Sequence, residues 1–242
     1  MSDHDIQFHF DPVCPFAWIT SRWVNRVAAL RDHSVDWRFI SLRIINEHID
    51  YEAHFPPEYE HGHTAGLRML RVAARAREEH GPEIMGDLYT GLGGSVFDVD
   101  PPESQEAYRA SLGSRETVEK VLADVGLPTD LADALDDDSW DDVIRAESDR
   151  ALELTGKDVG TPIIQYAPPD GPAFFGPVIS RVPNDEDALR LWDAVLELAH
   201  FPGFSEMKRS LRELPALRVL GVDPAQAPKI EDWHQGSRRL KK

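Results

Sequence analysis

The 242 residues are 41% hydrophobic and 29% charged, a composition able to bury a sizeable apolar core in one large domain or two small ones. Acidic residues outnumber basic ones 43 to 26, and the formal net charge of -17 repels phosphate backbones and anionic lipid headgroups, so neither nucleic acid nor a membrane is expected as a partner. No apolar run approaches the roughly 20 residues of a bilayer span, and Met1-Ser2-Asp3-His4-Asp5 lacks the features of a signal peptide, which points to a cytoplasmic protein. The single cysteine, Cys14, excludes an intrachain disulfide and a thiolate zinc cluster.

Ile6, Phe8 and Phe10 alternate with polar residues and predict a strand. Over 16–30, Ile19, Trp23, Val27 and Leu30 recur at three and four residues, which predicts an amphipathic helix with Pro15 in its first turn, where a missing N–H costs nothing. A second strand is expected over 35–42 from its Val, Trp, Phe and Ile content. From about 57 to 156 the pattern is helical, with Ser114 opening one helix and 140–154 forming the last. Two short strands, 163–166 and 173–175, flank the turn residues Pro168-Pro169-Asp170-Gly171. Leu189, Trp192, Val195, Leu196 and Ala199 mark a final helix capped by Asn184 or Asp185, and beyond Pro202 the chain is punctuated by proline and turns basic over 238–242, a mobile end by composition.

Chemistry concentrates at Cys14. A cysteine between a strand and a helix start meets unpaired N–H groups and the positive end of the helix dipole, which favour thiolate over thiol; a buried cysteine acting as a small hydrophobe is the alternative. Gly160-Thr161-Pro162 before a short strand offers an X-Pro bond able to be cis and to present its backbone to the cysteine. His54, His61, His63, Glu58 and Glu60 are metal-ligand types, but residues two apart on a helix face different ways and no His-Glu-Xaa-Xaa-His exists, so no metal is expected. Gly91, Gly93 and Gly94 lack the Lys-Ser or Lys-Thr of a phosphate loop and read as a helix end and turn. Asp136, Asp137, Asp138, Asp141 and Asp142 read as a solvated loop and helix start. A serine hydrolase elbow and a Rossmann fingerprint are both missing.

Three motifs in order, Phe10-Asp11-Pro12-Val13-Cys14-Pro15-Phe16-Ala17-Trp18, Asp158-Val159-Gly160-Thr161-Pro162 and Phe174-Phe175-Gly176-Pro177-Val178-Ile179-Ser180-Arg181, resemble the DsbA-type thioredoxin-fold family. The likeness is nearest to the actinobacterial mycothiol-dependent nitroreductases. It implies an α/β thioredoxin fold, βαβ then ββα, with a large inserted all-helical domain. The implied division is 1–50 and 157–208 thioredoxin-like, 51–156 inserted helices, and 209–242 a C-terminal extension or tail. The likeness implies Cys14, Pro15 and Pro162 as catalytic positions, with Phe16, Ala17, Trp18, Thr161, Phe175, Ser180 and Arg181 as substrate or thiol contacts. Thr161 would offer main-chain groups to a thiol, Ser180 and Arg181 would hold its carboxylate end, and Phe16, Trp18 and Phe175 would wall an aromatic substrate. A capping serine, a surface arginine and core aromatics are the plainer readings of the same residues. The family pattern is Cys-Pro-Xaa-Cys, and Ala17 stands where the resolving cysteine belongs. The expectation is a monothiol oxidoreductase using Cys14 and a low-molecular-weight thiol, mycothiol or similar, on a small electrophile, a nitroaromatic or a mixed disulfide. Alternatives are a kappa-class-like thiol S-transferase or isomerase and a non-catalytic binding module. Partners are then a small thiol and a small substrate, with a homodimer left open.

Overall fold

The computed structural model describes residues 4–55, 57–208, 211–213, 215–223 and 230–232. Strand β1 (Ile6–Phe10) leads into helix α1 (Pro15–Arg31) and strand β2 (Val35–Phe39). Helices α2 (Leu42–Ile45), α3 (Tyr51–His54), α4 (Pro57–His80), α5 (Met85–Phe97), α6 (Gln105–Ser111), α7 (Arg115–Asp124) and α8 (Asp141–Thr155) follow, with 3-10 turns at Pro82–Ile84, Thr129–Asp136 and Asp138–Trp140. Strands β3 (Ile163–Tyr166) and β4 (Ala173–Phe175) and helix α9 (Asp185–His200) return to the sheet. Beyond them, β5 (Leu211–Glu213) pairs antiparallel with β6 (Ile230–Asp232). The basic stretch 238–242, read above as a mobile end, lies outside the described residues.

The sheet runs β2-β1-β3-β4. β1 and β2 are parallel, with Phe8 beside Trp37; β3 is antiparallel to β1, with Ile164 beside Phe8; and β4 is antiparallel to β3, with Phe174 beside Ile164. This order and these directions, with a helix crossing from β1 to β2 and another after β4, make a thioredoxin fold, and the helical block is an insertion between β2 and β3. Alternation gives the sheet two unlike faces. Phe8, Phe10, Trp37 and Ile164 join Trp18, Trp23, Tyr89 and Trp192 in one large hydrophobic cluster that continues into α4, α5 and α7. The opposite face carries Gln7, His9, Asp36, Arg38 and Gln165 and is covered by α8, whose Glu147 accepts hydrogen bonds from the Phe39 N–H and from Arg38. No helix among the described residues is long and apolar enough to cross a membrane.

Three readings of the sequence are corrected. The second strand ends at Phe39 rather than at 42, because the Ser41 hydroxyl accepts the Ile44 N–H and turns the chain into α2. Gly91, Gly93 and Gly94 lie inside α5, where bare backbone at Gly93 admits the Trp18 ring and at Gly91 admits Val121 of α7. The acidic run is not merely solvated: Asp136 pairs with Arg68 at 2.9 Å and Asp141 with Arg71 at 2.7 Å, both arginines belonging to α4.

Candidate functional site

Cys14 stands where β1 has ended and α1 has not begun. Asp11 shapes the intervening loop: its carboxylate accepts the Val13 N–H at 3.0 Å and the Leu42 N–H at 2.7 Å, while its carbonyl accepts the Cys14 N–H at 3.1 Å. Cys14 is the extended N-cap residue of α1, with Pro15 at the first helical position. Its Sγ accepts the Ala17 N–H at 3.4 Å, so one otherwise unpaired amide of the first turn points at sulfur. The same thiol donates to the carbonyl of Thr161 at 3.4 Å, and the Thr161-Pro162 bond is cis. The Thr161 hydroxyl donates to the His9 carbonyl at 3.0 Å, which ties the segment before β3 to β1. Two motifs 147 residues apart in the chain therefore meet at one sulfur. The thiol residue is 6% exposed.

The other expected site residues are distributed unevenly. Ala17 is buried and Phe16 half-buried in the first turn of α1. Trp18 is enclosed rather than open: it stacks on Phe97 at 6.1 Å, meets Tyr89 edge-on, and carries the Arg22 guanidinium 4.1 Å above its ring. Phe175 is 43% exposed and pairs with Ile163, which belongs to the cluster under α8; its neighbour Phe174 is the one that packs on the cluster containing Cys14. Ser180 and Arg181 lie on the segment that follows β4 and runs beside α1, where the Thr20 hydroxyl donates to the Pro177 carbonyl and Arg26 to that of Pro183. An anion seat at the start of α9 is not available, because Asn184 caps that helix and Asp185, Glu186 and Asp187 fill its first turn. Ser180 instead donates to the Glu213 carboxylate at 2.6 Å, and Arg181 pairs with the same oxygen at 3.4 Å.

Sequence reasoning gave no role to Asp11, Tyr89 or Glu213. Burial pushes the Asp11 carboxyl up to about 7 against the opposing pull of its two backbone donors, and pushes the Tyr89 hydroxyl up as well. Asp11 had a signal, an Asp followed two residues later by an N–H it can bond; Tyr89 and Glu213 reach their places only through the tertiary fold. Of the metal-ligand types, His63 bonds the Tyr51 hydroxyl, His61 donates to the Arg109 carbonyl, and no metal-holding group converges among the described residues.

Among solved structures, the cytosolic disulfide reductase DsbM from Pseudomonas aeruginosa is similar at 14% identity and a TM-score of 0.49, over 80% of this chain and 99% of that one. The disulfide oxidoreductase DsbA from Proteus mirabilis is similar at 14% identity and a TM-score of 0.46, over 82% of this chain and 89% of that one. An uncharacterized protein of Mycobacterium tuberculosis, Rv2286c, is 30% identical over 205 residues, 84% of this chain and 81% of its own length. The family model described as Rv2466c-like, mycothiol-dependent nitroreductase Rv2466c, matches residues 13–209, a span that starts one residue before Cys14 and contains Thr161, Pro162 and Arg181. The chain belongs to the Rv2466c-like family of mycothiol-dependent nitroreductases.

Proposed function

We propose that this chain is a monothiol oxidoreductase in which Cys14, working with a low-molecular-weight thiol of the mycothiol kind, reduces a small electrophile, a nitroaromatic or a mixed disulfide. The observation that carries the reading is the Cys14 Sγ at the N-cap of α1, bonded to the Ala17 N–H and to the carbonyl of the residue before Pro162. The Ala17 amide and the helix dipole stabilise negative charge on sulfur, so the nucleophile is available once the proton has left. On a disulfide RSSR′ the Cys14 thiolate bonds one sulfur, the S–S bond breaks, and R′S⁻ leaves with the electron pair and takes a proton. Ala17 offers no second thiol, so release of the mixed disulfide depends on a thiol from outside the chain. Mycothiol, when bound, supplies the reducing electrons as its thiol becomes half of a disulfide. What supports such a partner is the Thr161 main chain at the Cys14 sulfur, an edge to which a second thiol-bearing chain could bond, with the segment 177–183 bordering α1 at Thr20 and Arg26.

Intact-protein mass spectrometry after exposure to mycothiol disulfide tests this. One mycothiol adduct is expected on the wild type, located at Cys14, and none on Cys14→Ser. Thiol-dependent reduction that survives in Cys14→Ser would place the chemistry on the cofactor's own thiol and support the transferase reading instead.

A further inference from the structure

Asp11 is completely buried, and no cation among the described residues is paired with its carboxyl. Backbone amides hold it instead, the Val13 N–H on Oδ1 at 3.0 Å and the Leu42 N–H on Oδ2 at 2.7 Å. Helix α4 leaves the room, since a methyl group at Gly66 would lie 2.5 Å from Oδ1. A carboxylate in such a place is costly to keep ionised, whereas an asparagine could accept one of the same amides without charge. The position of Asp11 ties it to the thiol. The Cys14 N–H donates to the Asp11 carbonyl at 3.1 Å and closes a four-residue turn, in which the first and last Cα atoms lie within about 7 Å of each other. Tyr89 of α5 borders both residues: Asp11 and Cys14 each act on its hydroxyl as a negative neighbour that pushes its titration up. From α3, Tyr51 feels Asp11 in the same way; Arg43 of α2 lies 5.1 Å over the Tyr51 ring, and His63 of α4 bonds the Tyr51 hydroxyl at 2.9 Å.

We infer that Asp11 is a positioning residue for the Cys14 nucleophile: its carboxyl fixes the turn that presents the sulfur to the Ala17 N–H and the Thr161 carbonyl, and its charge opposes the thiolate, so that the buried site holds one negative charge more readily than two. The inference rests on the reading of Cys14 as the reacting group. Two acids this close, with no cation between them, titrate as a pair. A proton on Asp11 favours the thiolate, and a proton on sulfur favours the carboxylate. The amide of Ala17 lowers the energy of charge on sulfur, while Asp11 in its ionised form raises it. The balance between the two decides at which pH the nucleophile appears.

The test is the pH dependence of Cys14 in the full chain, followed by the ultraviolet absorbance of the thiolate and by the rate of iodoacetamide alkylation; the chain has one cysteine, so both signals belong to it. Wild type should titrate in two overlapping steps. Asp11→Asn should titrate in one, with a midpoint lower than the main wild-type step by about one pH unit, which is roughly tenfold more thiolate on the acid side. At the alkaline end, where the sulfur is ionised in both proteins, the alkylation rates should agree within about threefold. Circular dichroism confirms folding, and Asp11→Ser, whose hydroxyl can accept the Val13 N–H, serves if Asp11→Asn does not fold and should move the midpoint the same way. A midpoint that stays in place or rises overturns the inference, and so does a loss of alkylation at alkaline pH with the midpoint unmoved, since that is what a purely structural clamp would give. A wild-type thiol that neither ionises nor alkylates at any pH overturns both this inference and the redox reading. A shifted midpoint without a mycothiol adduct in the mass experiment overturns the redox reading alone.

Discussion

His9 and Asp11 flank Phe10 and are both buried, yet burial moves their titrations in opposite directions. The His9 imidazole is pushed down to about 4 from 6.5 and the Asp11 carboxyl up to about 7 from 3.8. An unfolded chain takes a proton on His9 below 6.5 where the folded one does not, so that stability is present above 6.5 and is lost as pH falls toward 4. For Asp11 the folded chain keeps a proton that the unfolded chain gives up near 3.8, so this cost grows as pH rises from 3.8 to 7. The two effects are on the order of 3 and 4 kcal/mol, and between about 4 and 6.5 their slopes cancel. Asp11→Asn should unmask the His9 slope, with urea-unfolding stability rising by about 3 kcal/mol from pH 4 to 6.5. His9→Gln should unmask the other, a fall of about 4 kcal/mol from pH 3.8 to 7. Flat profiles in both variants would show that neither group titrates as its burial requires.

At the scale of the element, α5 shows what glycine does when it is not ending a helix. A methyl group at Gly93 would collide with the Trp18 ring, whereas at Gly94 the nearest foreign atom is an Asp98 oxygen at 3.9 Å. Gly94→Ala should therefore stabilise by about 0.5–1 kcal/mol through helix propensity, and Gly93→Ala should cost about 1–3 kcal/mol by overpacking. Thermal unfolding of the two variants, one shifted up and the other down, checks the assignment. Equal shifts would mean that Trp18 gives way freely.

Such contacts mark the border of what the sequence discloses. Strands β1, β3 and β4, the Pro15 start of α1 and the Asn184 cap of α9 follow from local periodicity and capping chemistry, and they were legible. The meeting of Cys14 with Thr161 was suggested by the Gly160-Thr161-Pro162 junction and made specific by the resemblance of the motifs to a family. The end of β2 was not, since an apolar run cannot reveal that a following serine will cap a helix. Nor could two adjacent phenylalanines say which one shares the face of the thiol: register with Ile164 puts Phe174 there, and register is a property of the sheet.

Across the whole molecule, a row of arginines on α4 ties the helices of the insertion to one another, and one carboxylate on α8 ties them to the sheet. Arg68, Arg71 and Arg77 reach Asp136, Asp141 and Glu147. Glu147 also receives Arg38 and the Phe39 N–H of β2, so a single side chain joins β2, α4 and α8. Glu147→Ala removes the carboxylate partner of Arg77 and the acceptor of the Phe39 N–H at 2.8 Å, while Arg38 keeps Asp36, and should cost about 2–4 kcal/mol, read as a lowered urea midpoint. Glu147→Gln keeps an acceptor for the Phe39 N–H and should lose roughly half as much. A loss below about 1 kcal/mol in both variants would show that the arginines find other partners in water.

The stack of Phe10 on Tyr89, 4.0 Å between ring centres, with Trp37 on the same tyrosine at 5.4 Å, bears on whether the sheet could stand without the insertion. Two of those three rings belong to the sheet and one to α5. A deletion that rejoined β2 to β3 would bare Phe10 and Trp37 to water and leave Trp18 without Phe97. The insertion is thus a lid on the sheet's own aromatic core, and a chain cut down to the sheet and its two flanking helices would need polar residues in place of Phe10 and Trp37 to avoid association.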